Sequence, residues 1–426
     1  MHMAHRTLKR REFTTTLAAG LSMWAAPFAQ AQDASARDGR LVVVFLRGAY
    51  DGLSALVPYA DKNYYALRPS IAIAAPDGTA QTAIALDDSF ALHPALAPLL
   101  PLWKQGVLAA LPCAGSPDAT RSHFDAQHHW EIGIPGMSGN AAGWMNTLAL
   151  LRGGAGASSS DVQVVGVGEA NPQILAGSAP VQLVPRGQAA TKQGAMGDDR
   201  TRDSIMKLYA GQDALSQAFR AGAQSRQQTA QMLSNDMQTN SMEGSKEMIA
   251  ANNGANSVQG LQLDAQHLGT LMRQDRKLRL GFLSAGGWDT HFNQGGATGA
   301  LATNLTSLAQ TLVQLRRDFN RPDDVVVVCS EFGRTSAENG TRGTDHGHGN
   351  ALWLMGTRVN GGRWHGNWTG LAAANLHEGR DLPVHHDFRA VLAQVVRGSQ
   401  GVQAKALDRL FPGFAWDAAL DKLMLA

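Results

Sequence analysis

A chain of 426 residues, 44% hydrophobic and 17% charged, has a globular composition with room for one large or two medium domains. Its formal charge of +2 is set by residues 1–31, where Arg6, Lys9, Arg10 and Arg11 against Glu12 give +3. The remainder therefore carries one net negative charge, which excludes a basic nucleic-acid-binding body.

The first element in chain order is a targeting signal. Lys9-Arg10-Arg11-Glu12-Phe13 precedes an apolar stretch from Leu17 to Phe28 and the small-x-small site Ala29-Gln30-Ala31. That order is the twin-arginine export pattern. It predicts a signal peptide over 1–31, passage through the twin-arginine translocase and a periplasmic location. The apolar stretch falls short of the ~20 residues of a bilayer span, so no stable membrane anchor is expected. The twin-arginine route carries folded proteins, often with a cofactor already inside, which favours a metal.

After a polar link, RLVVVFL (Arg40–Leu46) is an almost continuous apolar, β-branched run of the kind buried on both faces of a parallel sheet. Val107–Pro112, Val162–Val167, Leu278–Ser284, Val325–Cys329 and Ala351–Met355 read the same way. Helical stretches alternate with them. Pro94–Lys104 is one, and another spans Thr298–Phe319, with Leu301, Leu305, Leu308, Leu312 and Leu315 along one face. The alternation predicts an α/β fold over 38–426, with a mostly parallel central sheet flanked by helices. Residues 185–274 are rich in Gln, Asn, Ser, Ala and Met and read as a helical cap or insertion. Cys113 and Cys329 sit in or beside apolar strand-like runs, where free buried thiols are favoured over a disulfide.

Open α/β sheets place ligands at the carboxyl ends of their strands, and there this chain puts its reactive side chains. Arg47-Gly48-Ala49-Tyr50-Asp51-Gly52 follows the first strand, Gly286-Gly287-Trp288-Asp289-Thr290-His291 the Leu278 strand, and Glu331-Phe332-Gly333-Arg334-Thr335 the Val325 strand. Gly343-Thr344-Asp345-His346-Gly347-His348-Gly349 leads into the Ala351 strand. Asp289 and His291, two apart in a glycine-loosened turn, offer the carboxylate and imidazole expected of a zinc, manganese or iron site. Each cluster alone has a structural reading: Asp51 as a turn residue, Glu331 and Arg334 as an ion pair, Asp345 as part of a turn. Their joint occurrence points to a compensating cation, because carboxylates are costly to bury together. A fifth segment, Thr120-Arg121-Ser122-His123-Phe124-Asp125, enters a helix. Ser122 there serves as the helix cap or as a nucleophile with Arg121 beside it.

In this order the twin-arginine leader, VVVFLRGAYDGL, RSHFDAQHHWE, GGWDTHFNQ, SEFGRT and GTDHG resemble the domain of unknown function 1501 family. That family is similar in turn to the alkaline phosphatase and sulfatase superfamily, an α/β fold with a metal-assisted esterase site. The resemblance implies Asp51, Asp289, His291, Glu331, Asp345 and His346 as metal ligands, Ser122 (less well Thr120) as nucleophile, and Arg121 and Arg334 as holders of non-bridging oxygens. The place of a second metal-binding Asp-His pair reads Glu331-Phe332. Asp345 or His348 as substitutes, a one-metal site and a metal-free site therefore all remain open. The expected function is an exported metal-dependent hydrolase of phosphate or sulfate esters, acting on a small anionic ester with a divalent metal, zinc first and manganese or calcium next. The alternative is a non-catalytic periplasmic binding or assembly protein with a degenerate metal or anion site.

Overall fold

A computed structural model describes residues 37–153, 162–191, 198–234 and 251–426; the export signal at 1–31 lies outside the described residues. The β-branched runs form the main sheet. Its long strands are β1 (Leu41–Leu46), β2 (Leu108–Gly115), β3 (Val164–Gly168), β4 (Val181–Pro185), β5 (Leu280–Gly286), β6 (Val325–Cys329) and β7 (Asn350–Gly356), arranged β2-β7-β6-β1-β5-β3-β4. β1 lies in the middle, parallel to β6 (Leu41 opposite Val325) and to β5 (Leu41 opposite Leu280). β3 is parallel to both β4 and β5. The mostly parallel sheet expected from the sequence is present.

Period-two alternation divides β1 between two cores. Val42, Val44 and Leu46 join one and Leu41, Val43 and Phe45 the other. The longer helices among the described residues are, in chain order, α1 (His123–Ile132), α2 (Trp144–Gly153), α3 (Asp199–Leu208), α4 (Ala214–Ser234), α5 (Leu261–Gln274), α6 (Ala300–Asp318), α7 (Phe388–Gln400) and α8 (Ala404–Leu410). α5 and α6 cover the first face with Leu261, Leu268, Leu301, Leu305 and Leu312. α1, α2 and α7 cover the second with Trp130, Trp144 and Phe388. The leucine stripe expected over 298–319 is therefore the buried face of α6. The described part of 185–274 is largely helical, but α5 packs on α6, β3 and β5 as a layer of the main fold. Cys113 and Cys329 are free and buried. Among the described residues, no helix is long and apolar enough to cross a membrane.

Two features depart from the sequence reading. β4 carries a weak signal, because VQLVP is short, ends in Pro and lies at the sheet edge, where only one of its five residues is buried. β7 runs antiparallel to both β6 and β2. It therefore begins at the edge where the parallel strands end, and this brings the loop 343–349 to the carboxyl ends of β1, β5 and β6.

Candidate metal centre

Four chain segments meet at this edge: the turn after β1, the loop after β5, the loop after β6 with the lead-in to β7, and the start of α1. The turn after β1 needs backbone that side chains resist. Gly48 has φ 109°, and a Cβ there would stand 2.8 Å from the backbone nitrogen of Asp289. That close approach lets the β1 turn and the β5 loop share one site.

The centre is built on Asp289. Its Oδ1 lies 2.9 Å from His291 Nε2, 3.3 Å from His346 Nε2 and 3.5 Å from His123 Nε2. His123, Asp289 and His346 form a group of metal-ligand disposition, with donor atoms all within 4.8 Å of one another. His291 Nε2 is 3.0 Å from His346 Nε2. The other nitrogen of each ring faces an atom that can only accept. His123 Nδ1 is 2.7 Å from Glu331 Oε1, His291 Nδ1 is 3.0 Å from Asp345 Oδ1, and His346 Nδ1 is 2.9 Å from the Arg121 carbonyl. Each Nδ1 therefore carries a proton, so in the neutral rings each Nε2 carries a lone pair. Three lone pairs and a carboxylate oxygen then converge, with the Arg334 guanidinium 2.5 Å from Asp289 Oδ1 and 3.5 Å from His291 Nε2. A further cation or added protons would compensate the remaining lone pairs. His123 Nε2, moreover, is buried without a hydrogen-bond partner. Imidazoles fixed from behind by carboxylates and a carbonyl are the usual support of metal-binding histidines, so the residues present fit a bound divalent ion.

Protons satisfy the cluster when no metal is bound. Burial disfavours a charged His123, but Asp289 and Glu331 outweigh it and raise its pKa to about 9. The hydrogen bond to Asp289 raises His291 as well, against the effect of burial. Burial pushes Asp289 up, yet the three histidines and Arg334 hold it far below the carboxylate range.

The remaining residues singled out in the sequence stand around this centre or away from it. Glu331 and Asp345 are not brought to the convergence point; both orient a histidine from outside. Glu331 is fully buried and also accepts from Gly48 N (2.8 Å), Gln127 Nε2 (3.0 Å) and Ser330 Oγ (3.0 Å). Asp51 is closed off altogether. Arg68 grips both of its oxygens (2.6 and 3.1 Å), and Ser54 and Gln294 each donate to Oδ2 at 2.7 Å. A buried carboxylate so neutralised has no need of a metal.

Arg334 is fully buried, and its donors are already engaged. It reaches the carbonyls of Ala49 (2.6 Å), Gly48 (2.7 Å), Trp288 (3.1 Å) and Thr344 (3.1 Å), and Asp289 Oδ1 at 2.5 Å. It acts as a fixed internal cation and is not free to grip a substrate oxygen. Arg121 pairs with Glu378 (2.7 Å) and Asp381 (2.9 Å), while its Nε is buried without a partner. Ser122 is the N-cap of α1, its Oγ accepting from Asp125 N at 3.4 Å. His348 lies against His377, with ring centroids 4.5 Å apart and planes tilted by 37°.

Sequence reasoning missed His123. It lay in a motif already singled out, but the neighbouring Ser122 drew the functional reading. A histidine at the first position of a helix entering the carboxyl edge was the available signal.

A cavity of about 460 Å3 is lined by Phe124, His128, Glu131, Glu169, Asn171 and Asn253 among others. Glu131 and Glu169 share the buried Arg47, which also donates to Gln127 Oε1 at 2.7 Å. Gln127 in turn reaches Glu331, so cavity wall and centre belong to one hydrogen-bonded network.

The sequence profile of a family described as a protein of unknown function, DUF1501, matches residues 38–411. A sequence search of curated proteins finds no match. Among solved structures, the alkaline phosphatase from the Antarctic bacterium TAB5 is similar with a TM-score of 0.36 and 10% identity, covering 86% of this chain and 99% of that one. The PsFucS1 sulfatase from Pseudoalteromonas sp. is similar with a TM-score of 0.39 and 11% identity, covering 98% of this chain and 76% of that one. Likenesses this loose transfer no function.

Proposed function

The chain belongs to the DUF1501 family, and from its own site we propose that it is a hydrolase of phosphate or sulfate esters working with a single divalent ion. The observation that carries this reading is the convergence of three outward-anchored histidines on Asp289 Oδ1. His123, Asp289 and His346 would hold the ion, with His291 as fourth ligand. Three nitrogens and one oxygen suit zinc; manganese fits less well, and calcium, which takes oxygen ligands, least.

The bound ion supplies a water nucleophile at neutral pH and stabilises charge on the transferred group. In the reaction, the water oxygen bonds to phosphorus or sulfur. The ester bond breaks with its electron pair on the leaving oxygen, and a water proton ends on that alcohol. Arg121, whose Nε has no partner, would hold a non-bridging oxygen. Ser122 serves as the helix cap, so water is the nucleophile. Glu331, Asp345 and the Arg121 carbonyl keep the imidazole tautomers in place.

The second reading, a non-catalytic binding or assembly protein, draws on the saturation of Arg334 and on the two carboxylates that engage Arg121. Zinc analysis of the purified protein and an ester panel, each repeated with Asp289→Ala, separate the two. We expect about one zinc per chain and zinc-dependent turnover lost in the variant. Bound zinc without turnover on any ester selects the non-catalytic reading, and absence of zinc removes the metal reading itself. Export through the twin-arginine translocase to the periplasm is part of the proposal, supported by Arg10 and Arg11 ahead of the apolar stretch.

A further inference from the structure

Resting on the metal reading above, we infer that the centre takes an ester whose reacting group carries one negative charge, a phosphate diester or a sulfate monoester. It disfavours the dianion of a phosphate monoester. The inference comes from the charges the fold fixes around the site. One divalent ion and Arg334 are balanced by Asp289, by Glu331 behind His123 and by Asp345 behind His291, which leaves the centre without net charge.

The next layer adds no positive charge. Arg121 and Arg380 are matched by Glu378 and Asp381. In the wall of the cavity that the Gln127–Glu331 hydrogen bond links to the centre, Glu131 and Glu169 share one arginine, Arg47, buried behind them. Nor is there a seat for a second ion. Among the described residues, one group has metal-ligand disposition. Asp51, a further buried acid after β1, is held by Arg68, and Arg334 shares Asp289 Oδ1 with the three histidines. A dianion entering this field finds one ion and negative walls, and like-charge contacts are penalised most where water is excluded. A monoanion meets half that penalty.

Calorimetric binding of two non-hydrolysed probes of similar shape, at one pH near 8.5, tests this on the zinc-loaded mature chain. Methyl phenylphosphonate is a monoanion there and phenylphosphonate a dianion. The monoanion is expected to bind tighter by about tenfold or more, and Asp345→Asn, which removes one negative charge, should narrow that gap. Equal or tighter binding of the dianion overturns the inference, as does binding of neither probe. A chain that takes up no zinc instead overturns the metal reading, so the two failures are distinguishable.

Discussion

His291 and His346 face each other Nε2 to Nε2 at 3.0 Å, while the outer nitrogen of each is committed to an acceptor. The contact is repulsive between neutral rings and attractive once a cation lies between them. Replacing His346 or His123 by Ala should therefore lower zinc affinity on the order of 100-fold or more, given that a four-ligand zinc site stores ~10–16 kcal/mol. Equilibrium dialysis against a competing chelator measures it. An unchanged affinity in both variants would place the ion elsewhere.

On the proposed metal reading, Glu331 would act on the ion through His123, whose Nδ1 it faces at 2.7 Å. Glu331→Gln keeps the size of the side chain but removes the charge behind the imidazole. A loss of about 10–100-fold in zinc affinity is expected, the usual effect of removing an outer partner of a ligating histidine. Circular dichroism of the variant checks that the fold survives, and wild-type affinity in a folded variant would show that His123 is not a ligand.

Asp51 and Arg68 belong to stability. Burial opposes the charge of Asp51, but Arg68, Ser54 and Gln294 more than compensate and hold its pKa below the carboxylate range. Because the folded value lies below the unfolded ~3.9, the stabilisation is complete above that value and is lost as pH falls through the folded one. Asp51→Asn leaves Arg68 buried without its charge partner, at a cost of about 3–5 kcal/mol at pH 7. The difference from wild type should shrink below about pH 4. Urea unfolding at several pH values reads both, and a difference independent of pH would contradict the ion-pair account.

Ser122→Ala should cost ~1 kcal/mol through the lost cap of α1 and leave zinc content unchanged. With water as nucleophile, turnover should stay within a few-fold of wild type. A drop beyond about 100-fold with zinc still bound, the scale of losing a catalytic group, would make Ser122 the nucleophile.

Arg10→Lys combined with Arg11→Lys keeps the leader's charge and removes the twin arginines. The variant is expected to accumulate in the cytoplasm; cell fractionation showing it in the periplasm would refute that route.

The sheet was legible because VVVFL, VVVVC and their like can be satisfied only where both faces are covered. The edge strand β4 was less so, being short and mostly not buried, and so was the direction of β7, whose apolar run reads like those of its parallel neighbours. That Asp289, His291 and His346 lie together was suggested by the joint occurrence of acids and imidazoles at several strand ends, since each cluster alone has a structural reading. The roles of Asp51, Glu331 and Arg334 could not be found, since each depends on a partner far away in the chain. Arg68 lies in an unremarkable Arg-Pro step, and no local pattern says that it closes on Asp51. Likewise, Arg334 reads as a substrate-gripping residue until the carbonyls of Gly48, Ala49, Trp288 and Thr344 are seen around it.

Those four carbonyls have a consequence for the order of events in the life of the chain. They come from the turn after β1, the loop after β5 and the lead-in to β7, and the group that gathers them follows β6. Until all four strands are paired, Arg334 has no cradle and Asp289 has no fixed position. The centre thus cannot assemble before these four strands are paired, so on the proposed metal reading uptake of an ion would follow that pairing and report on it.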